Sequence, residues 1–267
     1  MRQQSTRLLA SVAMTAILAA GLGGCQTMSD ITGSISPKSS ASAETDSRQA
    51  VDVTGERYRA DPKNAEAALA YGQALRASGQ RSQAAAVLEQ ATIAHPGDKA
   101  LLAGYGRALA DNGNFQQAFD VLNRAHSPDN PDWRLLSVQG TTLDQLGRHD
   151  EARRYYESAL KIVPGEPSVL SNLGLSYVLS KNLPKAEEAL RQAYASGRAD
   201  ARVRQNLALV IGLQGRFAEA EQIVRADLPA DEAAANVAYL KQMLNRKGDP
   251  HLGGAGKMPV ASLNRPE

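Results

Sequence analysis

Residues 167–200, PSVLSNLGLSYVLSKNLPKAEEALRQAYASGRAD, hold two stretches of helical periodicity that meet near Lys181, and their small and large positions recur 34 residues away on either side. Gly174 belongs to a column with Gly72, Gly106 and Gly140, continued by Ala208. Ala186 belongs to a second, with Ala84, Ala118, Ala152 and Ala220. A third runs Ala91, Ala125, Ala159 and Ala193, and Asp227 breaks it. Large residues fill a fourth: Leu88, Leu122, Tyr156, Leu190 and Val224. Between the two stretches of each unit stands Gly79, Gly113, Gly147 or Gly215, with Lys181 as the exception, where a left-handed residue closes a helix. Pro96 and Pro164 fall past the second stretch, where a proline cannot continue a helix. Each unit is therefore helix, turn, helix.

The units read 65–98, 99–132, 133–166, 167–200 and 201–234. With Leu-Gly at Leu173-Gly174 and these columns, the array resembles tetratricopeptide repeats over about 170 residues. The resemblance implies an all-α fold, a right-handed solenoid in which small residues let neighbouring helices approach and the bulky column fills the space between pairs. Residues 48–64 keep part of the phase, with Ala50 and Pro62 in register but Thr54 and Gly55 out of it, and are expected to form a degenerate capping helix. Val237, Leu240, Met243 and Leu244 recur at helical spacing within 231–246, which predicts a helix covering the last repeat. Residues 247–267, rich in Gly and Pro, read as a disordered tail.

Ahead of the repeats, Met1 to Arg7 is polar and basic and Leu8 to Leu22 is mostly apolar, a signal-peptide layout too short and interrupted for a membrane span. Leu22-Gly23-Gly24-Cys25 resembles the lipobox of bacterial lipoproteins, and Cys25 is the only cysteine. That resemblance implies removal of residues 1–24 and lipid attachment at Cys25, with several acyl chains giving firm anchoring. Gln26 after the cysteine implies the outer membrane, periplasmic face. Residues 25–47, rich in Ser and Thr and without aromatics, are expected to form a flexible tether of about 25 Å root-mean-square length.

The 267 residues are 43% apolar and 4% aromatic, so Ala and Leu must build the core. Thirty basic residues face 28 acidic ones, and with Arg2 and Arg7 in the leader the remainder balances, which gives no electrostatic reason to expect a nucleic acid partner. Chemistry is sparse. His95, His126, His149 and His251 have no His or Cys at metal-ligand spacing, and His149 occupies the slot that Phe115 and Phe217 fill elsewhere. Gly104-Tyr105-Gly106 is already explained by the repeat, and Gly253-Gly254-Ala255-Gly256-Lys257 is followed by Met258 where a phosphate loop needs Ser or Thr. Acidic pairs such as Glu187-Glu188 and Asp150-Glu151 read as solvated faces. No cofactor, metal site or catalytic constellation is expected, and the chain is expected not to be an enzyme.

A solenoid of paired helices presents a concave surface made of its first helices, where a peptide or helix of another protein can lie. In this register the surface includes Arg76, Arg107, Asp144, Asn172, Leu175, Gln205, Asn206 and Leu209. Asn172 and Asn206 stand where an amide of family members often meets a bound backbone. The first half of the groove is polar, with Gln73, Arg76, Arg107 and Thr141. The second half offers Leu175, Val178, Leu179, Leu209 and Leu213, for a partner or for the C-terminal helix to cover. Lipobox, tether and repeats together resemble the TadD-type lipoproteins of tight-adherence (Flp) pili, which implies a membrane-tethered scaffold with secretin or pilus-assembly components as partners. An adaptor recruiting peptidoglycan-remodelling or cell-division proteins would use the same groove. The oligomeric state is left open.

Overall fold

The computed structural model describes residues 37–247, with side chains for 45–245. The leader, Cys25, the first part of the tether and the residues after Lys247 lie outside the described residues. Those described fold entirely into helices and connecting turns. Five antiparallel pairs follow one another: α2 (Ala65–Ala77) with α3 (Arg81–Ala94), α4 (Lys99–Asp111) with α5 (Phe115–Ala125), α6 (Trp133–Gln145) with α7 (His149–Ile162), α8 (Pro167–Leu179) with α9 (Leu183–Ala195), and α10 (Ala201–Leu213) with α11 (Phe217–Val224). Helix α1 (Pro37–Ala60) precedes them and α12 (Ala230–Lys247) follows.

Each first helix is started by a side chain in a column that sequence reading passed over: Asn64, Asp98, Asp132, Glu166 and Asp200. Their oxygens accept from otherwise orphaned amides of the first turn, as when Asn64 takes the Ala67 N–H at 2.9 Å. Each first helix ends in the same left-handed turn. Gly79 adopts φ 78°, its amide donates to the Arg76 carbonyl, and the Gln80 amide reaches back to Leu75 at 2.8 Å. The fourth pair makes this turn with Lys181 at φ 61°, where a side chain costs energy that glycine does not.

The glycine column seats the large column. A Cβ at Gly72, Gly106, Gly140 or Gly174 would lie 2.5–2.7 Å from the side chain of Leu88, Leu122, Tyr156 or Leu190 in the paired helix. In the fifth pair Ala208 replaces glycine and the smaller Val224 replaces leucine, both buried in one cluster. Every member of the large column is buried.

Both ends depart from expectation. The tether expected through residue 47 becomes helical at Pro37, with proline at the start of α1 and Ala41, Ala43, Glu44 and Gln49 as good helix formers behind it. Composition alone favoured disorder there; continuity with the packed part of α1 favours helix. Gly55, which seemed to weaken the register, is buried where a Cβ would stand 3.0 Å from the Tyr71 ring, and Tyr58 stacks on Tyr71 at 5.4 Å. At the other end α11 stops after eight residues. Asp227, the break in the alanine column, accepts two hydrogen bonds from the Arg204 guanidinium, Nε at 2.7 Å among them. Residues 230–234, assigned above to the fifth repeat as well as in part to the cap, therefore belong to α12. Leu240 of α12 seats on α10 at Gly212, where a Cβ would be 2.5 Å from it.

Two substitutions test this packing by urea unfolding. Gly140→Ala should destabilise by about 1–3 kcal/mol, overpacking outweighing alanine's better helix propensity. Lys181→Gly should raise stability by about 0.5–1 kcal/mol, because the turn is already left-handed.

Candidate protein-binding groove

Consecutive first helices lie side by side, α2 on α4, α4 on α6, α6 on α8 and α8 on α10, and form one continuous face. One register position runs along it: Gln73, Arg107, Thr141, Leu175 and Leu209. Gln73 is exposed and the other four are half-buried, so the face turns from polar to apolar along its length.

In the polar half Arg76 donates through Nε to Asp111 at 2.6 Å, tying α2 to α4. Arg107 is different. Its nearest carboxylate is Asp132, with Nη2 4.0 Å from Oδ2. Burial holds the Arg107 guanidinium below the ordinary arginine range, the charges of Arg76 and Arg134 add to this, and Asp132 and Asp111 offset only part. Arg134 lies over the Trp133 ring at 4.3 Å.

In the apolar half Leu175, Val178, Leu209 and Leu213 are half-buried and Leu179 is 43% exposed. Among the described residues, helix α12 packs chiefly on α10 and α11 rather than alongside α8. Leu179 of α8 stays exposed, whereas Val178 packs against the cluster that α10, α11 and α12 share. Gln205 is exposed at the start of α10.

Asp144 and Asn206, on the same first helices, are buried rather than exposed on the groove. Asp144 is the centre of an interior network, accepting from Tyr156 Oη at 2.9 Å and Ser176 Oγ at 2.8 Å, with His149 Nδ1 at 2.9 Å. It joins α6 to both α7 and α8. The polar ring of Tyr156 in an otherwise aliphatic column, and Ser176 where neighbouring units have Thr142 and Val210, were the signals for it. Burial, with the Asp144 charge and hydrogen bond, pushes the Tyr156 hydroxyl well above its usual range. Asn206 donates to Ser171 at 2.9 Å, and the half-buried Asn172 donates to Ser137 at 3.1 Å. These two amides tie each first helix to the one before it. A serine 35 residues ahead of each asparagine was the readable sign.

No group of three or more metal-ligating side chains occurs among the described residues, and none of their helices is long and apolar enough to cross a membrane. Cys25 lies outside them.

Tetratricopeptide repeat models match residues 69–132, 134–199 and 201–226, together more than half of the chain, and the protein belongs to that family. Arrays of this family hold peptide partners in their grooves and are typically non-catalytic scaffolds. No curated relative matches the chain. Among solved structures it is similar to one subunit of the APC/C hetero-tetramer Cut9-Hcn1, with TM-score 0.62 and 17% identity over 79% of this chain, but it spans only 42% of that one. It is also similar to PilW, a type IV pilus biogenesis factor, with TM-score 0.65 and 18% identity over 75% of this chain and 94% of that one. PilF of Pseudomonas aeruginosa gives TM-score 0.54 and 18% identity over 67% and 91%. These likenesses concern the fold.

Removing the Tyr156 hydroxyl leaves a buried oxygen of Asp144 without its donor, and Tyr156→Phe should cost about 1–3 kcal/mol in urea unfolding. An unfolded tyrosine ionises near pH ~10 whereas folded Tyr156 stays protonated. Its contribution is therefore complete below that pH and lost as pH rises toward the folded value, so the alkaline decline in stability should be shallower in Tyr156→Phe.

Proposed function

We propose that this protein is a lipid-anchored scaffold on the periplasmic face of the outer membrane, assisting assembly of an envelope machine of the Flp/Tad pilus or secretin type. The observation that carries the reading is the polar-to-apolar groove of a repeat array preceded by Leu22-Gly23-Gly24-Cys25. PilW, a type IV pilus biogenesis factor by its own description, shares the architecture and supports the direction of the proposal. The anchor supplies the location: a multiply acylated Cys25 would hold the array at the membrane while its groove stays in water.

Two experiments test the reading. Cys25→Ser should abolish labelling by a palmitate analogue and leave the precursor uncut; persistent labelling would overturn the anchor. Crosslinking in cells expressing the tagged protein from its own locus should recover a secretin-like pore or pilus-assembly protein, lost in the double variant Leu179→Asp, Leu209→Asp. Recovery of peptidoglycan hydrolases or division proteins instead would replace this role with that of a cell-wall adaptor.

A further inference from the structure

Arginines that are half-buried or deeper elsewhere in the array are satisfied by hydrogen bonds. Arg76, with 25% of its side chain exposed, bonds Asp111; Arg153, at 14%, bonds Asp150 and Ser180; Arg204, at 23%, is held in two-pronged fashion by Asp227. The more exposed Arg191 and Arg216 share Glu187 and Glu219. Arg107 is 24% exposed, yet it makes no hydrogen bond among the described residues and has its nearest carboxylate at 4.0 Å. A guanidinium withdrawn from water without an anion in its fork is a cost to the folded state. It is also a prepared site for a planar carboxylate, which the fork can bind through two parallel hydrogen bonds.

We propose that Arg107, flanked by Arg76 and Arg134, is the receptor for an acidic side chain of a partner protein whose following apolar residues lie on Leu175 and Leu209. This rests on the reading of the groove as a protein-binding surface and names the chemistry of its ligand. The register column gives the order, since Arg107, Leu175 and Leu209 occupy the same position in the second, fourth and fifth repeats. Two helix-to-helix steps, α4 to α6 and α6 to α8, separate Arg107 from Leu175 by about 16–20 Å, which five or six extended residues span. Asp111 and Asp132 beside the arginines select against a polyanion: a run of phosphates would meet both, whereas a single carboxylate in the Arg107 fork need meet neither.

The chain's one tryptophan, Trp133, lies beneath Arg134 and reports on the site. Its fluorescence is followed while the protein is titrated with a capped twelve-residue peptide carrying a Glu pair and a Leu pair six residues apart. Versions with Gln for Glu and Ser for Leu serve as comparisons. The Glu/Leu peptide should bind saturably and at least tenfold more tightly than either. Arg107→Gln should erase the preference for Glu, Arg107→Lys should keep part of it, and Arg191→Gln should leave it unchanged. The peptide should raise the melting temperature of the native protein and not that of Arg107→Gln, whose own melting temperature should be no lower than the native value. Absence of saturable binding, equal binding of the Gln peptide, or a Glu preference that survives in Arg107→Gln would overturn the proposal. So would tighter Arg107-dependent binding of duplex DNA or of phosphatidylglycerol vesicles. If the partner crosslinked in cells is still recovered with Arg107→Gln, the scaffold stands and the acidic ligand falls; if the native protein recovers none, the scaffold itself falls.

Discussion

The close approach of helices within each pair depends on atoms that are missing. At Gly72, Gly106, Gly140 and Gly174 the first helix exposes bare backbone, and the branched or aromatic side chain of the second helix rests against it. Interiors pack at crystal-like density, so a groove of this depth can accept only a knob of matching size. The fifth pair keeps the sum roughly constant, with one methyl added at position 208 and the shorter Val224 opposite. Alanine and leucine suffice for such a core, which is why a chain with three phenylalanines and one tryptophan can build it.

Where the knob changes chemistry, its surroundings change with it. Tyr156 brings a hydroxyl into the interior, and Asp144, Ser176 and His149 are arranged so that no member of the cluster is left without a partner. This places a buried, hydrogen-bonded joint between the third and fourth repeats, whereas the interior of the joint between the first and second is apolar around Leu88 and Leu101, with the Arg76–Asp111 bond nearer the surface. Directional bonds fix the angle at which two repeats meet more narrowly than apolar contacts, and the amides of Asn172 and Asn206 act in the same sense on the neighbouring first helices.

The repeat, its turns and its packing columns were legible because a period of 34 residues is repeated often enough for chance to be excluded. The column of helix-starting side chains obeys the same period and was still passed over, since Asn, Asp and Glu share a role rather than a name. The burial of Asp144 and Asn206 was not legible for a different reason. Register on a helix says which way a position points on average, but a polar side chain at the edge of the packed stripe turns inward when a serine or tyrosine waits there. Arg107 was legible as a groove residue; its lack of a close anion was not, because ion pairing between repeats depends on side-chain geometry that sequence spacing does not contain. The reach of α1 toward Pro37 was missed because Ser-rich composition is a weak guide where a segment can continue an existing helix.

Gly212 gives the array a way of knowing where to stop. Its counterparts at the 34-residue period are Arg76, Ala110, Asp144 and Val178, none of which offers bare backbone to a side chain from a following helix. Only the last unit carries the seat for Leu240, so the terminus is written into a single position rather than into the length of the solenoid. Duplication of an interior unit would lengthen the array while keeping its end in place, and a unit appended after the fifth would have to displace α12 from that seat. Lineages of such proteins can therefore change their number of repeats by internal copying and retain the same closing helix.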